Sequence, residues 1–165
     1  MNAAVTVFFL IIKVFSLYFL AVSLFGLCRR RTPEPAARLR RFAVLIAARN
    51  EESCIAGLIE SLRAQHYPPE LVDIWVLPNN CTDRTAEAAR RAGAQVLEMP
   101  ASVRSKGAAL HTAAKALLRS ARNYDAFCVF DADNEADPAF LSEMNRALDR
   151  TAIVKSRILA KNRTQ

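Results

Sequence analysis

The chain has 165 residues, 23 Lys and Arg against 16 Asp and Glu, and a formal charge of +7. The length suits one domain, and a basic balance invites a nucleic-acid reading. The distribution excludes that reading: residues 1–41 hold Lys13, Arg29, Arg30, Arg31, Arg38, Arg40 and Arg41 against Glu34 alone, a net +6 that leaves +1 for everything after.

The excess follows an apolar stretch, residues 3–27, whose only charge is Lys13. A membrane helix needs about 20 apolar residues, and Arg29–Arg31 directly after it predict a cytoplasmic domain by the positive-inside rule. A mid-helix cation costs roughly 2.5–3.5 kcal/mol; the runs VFFLII and VFSLYFLAVSLFGL on either side offset it. A signal peptide and a helix lying on the membrane surface are the alternatives. The first wants a basic start and a small-residue cleavage site, the second a continuous polar face. A single-pass N-terminal anchor over 3–27 is therefore expected. Residues 28–41 then form a basic juxtamembrane linker, its arginines against anionic lipid headgroups. Cys28, Cys54, Cys81 and Cys128 show no CxxC spacing, so reduced thiols are expected rather than zinc.

From residue 42 the pattern becomes regular. FAVLIAA (42–48) reads as a buried strand. Asn50 is placed to cap the next helix, with Glu51 and Glu52 at its positive end. Ile55, Leu58, Ile59 and Leu62 form its apolar face, and HYPPE (66–70) ends it. LVDIWVL (71–77) is a second strand. Asp83 is expected to cap a helix over 84–92, closed by a left-handed Gly93. AQVLEM (94–99) is a third strand, KGAALHTAAKALLRSAR (106–122) a helix, and DAFCVF (125–130) a fourth strand. Asp137-Pro138 opens a helix to about Asp149, and TAIVKSRIL (151–159) begins a fifth strand. This alternation predicts a Rossmann-like α/β fold, a parallel sheet with helices on both faces.

In such sheets ligands bind at the carboxyl ends of the strands. Arg49, Asn50 and Glu51 follow the first strand, Asn79 and Asn80 the second, Asp131 and Asp133 the fourth. Taken singly, Asn50 and Asp83 read as caps and Asn79-Asn80 as a turn; taken together they point to one ligand. Arg104 and Lys106 before Gly107 suit an anion at a helix N-terminus, or a solvated face. Neither a dinucleotide fingerprint nor a P-loop occurs.

DADNEAD (131–137) carries the densest charge. Two aspartates one residue apart can hold one hard cation, since Mg2+ takes one or two protein carboxylates and completes its shell with phosphates and water. Such a metal neutralises a diphosphate leaving group. A calcium loop would need Gly and Glu where Ala136 and Ser142 stand. A phosphatase DxDx[TV] motif would need Thr or Val where Glu135 stands.

VLIAARNEE, LPNNCTDRTAEAARRAGA, RSKGAALHTA and VFDADNEADPAFL, in this order, resemble the motifs of family 2 glycosyltransferases. The resemblance covers roughly residues 42–145. It implies a GT-A fold, a nucleotide-sugar donor (UDP- or GDP-linked) and Mg2+ or Mn2+. It also implies direct displacement with inversion, and tethering to the inner face of a bacterial membrane for polysaccharide synthesis. The loop Ala48, Arg49, Asn50, Glu51 and the residue Asn79 would hold the base, and Lys106 would lie near the diphosphate. Asp131 would face ribose and metal, and Asp133 would bind the metal. Two departures stand out. Asn79, after Pro78, takes the place of the usual base-binding aspartate. No ED or Q/RxxRW-like motif follows Asp137, so no catalytic base is assigned. The expectation is a donor-binding part, residues 42–165, that binds donor but transfers poorly; the acceptor, whether polysaccharide, lipid or other, is not identified. The alternatives are a non-enzymatic membrane-tethered nucleotide binder and a phosphatase-type or nucleotidyl-transfer enzyme.

Overall fold

The computed structural model describes residues 3–26 and 36–158. Two compact units divide the chain, Met1–Glu34 and Pro35–Gln165. The first contains a single helix, α1 (Ala3–Gly26). Its Val5–Leu24 segment is 20 residues long, apolar and unburied, a length of about 30 Å.

The second unit runs β1 (Phe42–Ala48), α2 (Ile55–Arg63), a 3₁₀ turn (Pro69–Leu71), β2 (Val72–Pro78), α3 (Thr85–Arg91), β3 (Gln95–Val96), α4 (Lys106–Leu118), β4 (Ala126–Asp131) and α5 (Phe140–Ala147). The four strands are all parallel, in the order β3-β2-β1-β4. β1 is central, which explains its unbroken apolar run: both faces are covered. Val44, Ile46 and Ala48 meet Ile55, Leu58, Ile59 and Leu62 of α2 and Ala88 and Ala89 of α3. Ala43 and Leu45 point the other way, with Leu77, onto Ala113 and Leu117 of α4. Phe42 packs with Tyr67 and with Leu141 of α5, its ring edge-on to Tyr67 at 5.4 Å. The expected parallel sheet with helices on both faces is what the chain forms.

Several local expectations are corrected. Asn50 does not cap α2. The helix starts five residues later at Ile55, after Cys54, and Asn50 adopts a left-handed φ of 59° with Oδ1 accepting from the Thr82 N–H at 2.8 Å. The third strand shrinks to Gln95–Val96. α5 starts after Ala139 and stops at Ala147, and Asp137 accepts from the Ala139 N–H in the turn before it. No strand forms over 151–158: the Thr151 hydroxyl donates to the Ile153 carbonyl at 3.1 Å, a local bond that competes with ladder pairing. Leu159 of the expected fifth strand lies outside the described residues, as do Leu27 of the expected anchor and residues 28–35 of the linker.

The last linker arginines are built into the domain. Arg40 pairs with Asp149 at 2.8 Å and donates to the Asn145 carbonyl at 2.9 Å. Arg41 donates to the Glu70 carbonyl at 2.7 Å, and Arg38 pairs with Asp125 at 2.9 Å. These contacts clip α5 and the β4 entry to the segment before β1.

Candidate functional site

Strand register brings the polar residues to one edge. Ala48 lies opposite Pro78 and Ala47 opposite Asp131, so the chain leaves β1, β2 and β4 at nearly one level. Two of the three exits turn sharply through left-handed asparagines, Asn50 (φ 59°) and Asn80 (φ 52°), the residue type that tolerates this region best after glycine.

Asn79 is 7% exposed. Its N–H donates to the Ala48 carbonyl at 2.9 Å, continuing the β1–β2 ladder one step past the strand ends. Its Oδ1 accepts from the Asn80 amide at 2.9 Å, and that amide also donates to the Val103 carbonyl at 2.8 Å. The loop before α4 is thereby tied to the β2 exit. Ser105 caps α4 by accepting from the Ala108 N–H at 3.1 Å. Nothing stands within 4 Å of where a Cβ on Gly107 would be, so the positive end of α4 is open to solvent and to an anion.

Lys106, the first residue of α4, reaches across to Asp131, the last residue of β4, and forms an ion pair with it. Both side chains are about half exposed, and an exposed pair contributes only about 0–1 kcal/mol to stability. The pair therefore does little for the fold; it places a cation and a carboxylate, drawn from two elements, at one point on the edge. Asp133 is exposed, two residues on, past the buried Ala132. With Asn134, Glu135, Asp137, Ser156 and Arg157 it lines a cleft of about 610 Å³.

Glu51 is half buried. Its carboxylate accepts from the Cys54 thiol at 3.0 Å. Burial, then that bond and the negative charges of Glu51 and Asp133, push the Cys54 thiol up to about 11, which keeps it protonated and donating. Arg49 and Arg104 are exposed and make no hydrogen bond or ion pair with other described residues. The structure thus joins Lys106 to Asp131, Asn79 to the β1 exit, and Asn50 and Glu51 to the β2–α3 loop. Arg49, Arg104 and Asp133 lie exposed at the edge with no hydrogen bond or ion pair among the described residues. Thr85 and Cys54 were missed by sequence reasoning; the spacing TDxT in CTDRT was the available signal for Thr85.

Two exposed carboxylates flanking one buried alanine fit a hard cation that draws its remaining ligands from a phosphate group and water. No cluster of three or more His, Cys, Asp or Glu suited to a metal exists among the described residues, so a closed protein cage is absent there.

The four-stranded parallel sheet, flanked by helices, has a GT-A-like α/β fold, as its structural neighbours show. The mannosyltransferase PcManGT of Pyrobaculum calidifontis, in complex with GDP-Man and Mn2+, superposes with a TM-score of 0.63 at 22% identity, over 82% of this chain and 40% of that one. The pattern of glycosyl transferase family 2 matches residues 43–164, and the chain belongs to that family. It is 28% identical over 108 residues to "Probable glycosyltransferase YdaM" of Bacillus subtilis, covering 61% of this chain and 24% of the relative. It is 40% identical over 43 residues to the beta-monoglucosyldiacylglycerol synthase of a Nostoc species, covering 26% of this chain and 9% of that one. The chain spans about a quarter or less of the length of these relatives.

Proposed function

We propose that this chain binds the nucleotide-diphospho-sugar donor of a metal-assisted, inverting glycosyltransferase. The observation that carries the reading is the meeting of Lys106 and Asp131 at the carboxyl edge of the sheet, beside the exposed carboxylate of Asp133. Ala48, Arg49, Asn50, Glu51 and Asn79 bracket the nucleoside of a UDP- or GDP-linked donor. Asn79, with both a donor and an acceptor on its amide, serves base recognition in place of a carboxylate. Lys106 and Arg104, at the open N-terminus of α4, neutralise the diphosphate. Asp131 and Asp133 hold Mg2+ or Mn2+, which when bound stabilises the departing diphosphate. The Mn2+ complex of the Pyrobaculum enzyme supports the metal, and its GDP-Man the donor class. The α1 helix is read as a single-pass anchor over 3–27 in a bacterial inner membrane, followed by the linker 28–41 and a cytoplasmic domain over 42–165. The lipid glycosyltransferase among the relatives supports a membrane-associated setting. The acceptor is a polysaccharide, a lipid or another molecule.

Fluorescence-detected binding of UDP and GDP with and without Mn2+ tests the reading. Metal-dependent binding of one nucleotide, weakened by Lys106→Ala, is expected. Metal-dependent phosphate release from simple phosphate esters, with no nucleotide affinity, would replace it with the phosphatase alternative.

A further inference from the structure

The loops after β1 and β2 are cross-linked by a directed set of hydrogen bonds to which the reading above gives no role. Thr85 is fully buried. Its hydroxyl accepts from the Glu51 N–H at 2.9 Å and donates to Asp83 Oδ1. The direction is forced, because an amide N–H only donates and a carboxylate only accepts. Asp83 Oδ1 also accepts from the Thr85 N–H at 3.1 Å, and Oδ2 accepts from the Glu52 N–H at 3.1 Å. In return, Glu52 accepts from the Arg84 N–H at 3.1 Å and pairs with its guanidinium at 3.0 Å, while Asn50 accepts from the Thr82 N–H. Every residue from 50 to 52 is bonded to one in 82–85. A helix cap alone would account for the Thr85 N–H bond; it would not account for the bonds to Glu51 and Glu52.

We propose that Asp83 and Thr85 are positioning residues of the donor site, locking the β1–α2 loop to the β2–α3 loop so that Ala48–Glu51 and Asn79 form one preformed surface for the nucleoside half of the donor. The inference rests on the donor-binding reading. Its physical basis is preorganisation: a loop already held in place loses less freedom on binding. Neither side chain needs to touch the ligand. The three bonds to Asp83, led by the Thr85 hydroxyl, hold its carboxyl below the usual range.

The test uses the full chain and three probes: UDP with Mn2+, GDP with Mn2+, and Mn2+–pyrophosphate. Thr85→Val keeps the side-chain shape and removes the hydroxyl; Thr85→Ser keeps the hydroxyl. For whichever nucleotide binds the wild type, Thr85→Val is expected to weaken binding about tenfold, in line with the loss of a hydrogen bond to a charged group. Thr85→Ser should restore binding to within about twofold, and Mn2+–pyrophosphate should bind Thr85→Val as it binds the wild type. Unchanged nucleotide binding in Thr85→Val would overturn the inference alone, as would an equal loss for pyrophosphate, which is what general loosening of the fold produces. A wild-type chain that binds neither nucleotide would overturn the donor-binding reading, and this inference with it.

Discussion

Asp73 and Asp131 are both strand aspartates, near opposite ends of the same sheet, and they live differently. Asp73, at the amino end of β2, keeps 11% of its side-chain surface. It receives Tyr124 Oη at 2.9 Å, Gln95 Nε2 at 3.1 Å and an ion pair from Arg122, with Arg41 at 3.8 Å. Tyr124 in turn accepts from the Trp75 indole at 3.2 Å. Asp131, at the carboxyl end of β4, keeps 59% and has Lys106 as its ion-pair partner. One carboxylate is nearly buried and held by several partners from other elements. The other is shared with a single flexible ammonium and remains accessible. Charge alone does not mark a site; the proposal rests on an exposed carboxylate at the carboxyl edge of the sheet.

Removing each carboxylate is the strongest way to break this contrast. Asp73→Ala is expected to lower unfolding free energy by about 1–3 kcal/mol, discounted for the half-exposed Arg122. Asp131→Ala should change it by less than about 0.5 kcal/mol, both read from urea denaturation. Similar losses at the two positions would erase the distinction.

A glycine pair sharpens it. Gly93 leads into β3 at the amino end with a φ of +91°, and a Cβ there would collide with the Arg63 guanidinium, which donates to the Ala92 carbonyl at 3.1 Å. Gly93→Ala should cost about 1–2 kcal/mol. Gly107→Ala, in open space at the start of α4, should leave stability unchanged or raise it by up to about 1 kcal/mol. Thermal melts of the two variants decide it.

Acid titration gives a smaller effect at the amino end. The Arg41 backbone N–H at 2.8 Å, then Arg38, holds the Asp125 carboxyl below its usual range. A depressed folded value means that its stabilisation is complete above the unfolded carboxylate range and is lost as pH falls through the folded value. Stability should therefore decline below about pH 4, and Asp125→Asn should flatten that decline in a pH series of melts.

The smallest effect concerns thiols. Burial pushes Cys128 up to about 12, and Cys54 stands at about 11, so alkylation at pH 8 should be slow at both. Because the charge of Asp133 contributes at Cys54 alone, Asp133→Asn should quicken labelling at Cys54 and leave Cys128 unchanged, as mass spectrometry would show.

The sheet was legible because buried parallel strands write themselves as continuous apolar runs, and FAVLIAA is the clearest. The carboxyl edge of the sheet, where the donor site is proposed, was legible for the same reason: it is where those runs end, and Asp131 and Lys106 stand there in the fold. What stayed hidden depends on partners far along the chain. Asp73 looks like a lone charge in LVDIWVL; its partners Arg122 and Tyr124 are 49 and 51 residues away. Asn50 was read as a local cap, but Thr82, 32 residues on, takes its side chain. Glu51 and Glu52 looked like helix-dipole partners, while their backbone amides bind Thr85 and Asp83. Arg38 and Arg40 likewise find their partners, Asp125 and Asp149, far along the chain.

The most direct test of the central claim is calorimetric titration of UDP and of GDP, each with Mn2+, into the full chain and into Asp133→Ala. The account predicts metal-dependent binding of one nucleotide by the wild type and its loss by at least tenfold in the variant, with the unfolding midpoint unchanged. Nucleotide binding that is indifferent both to Mn2+ and to Asp133 would contradict it.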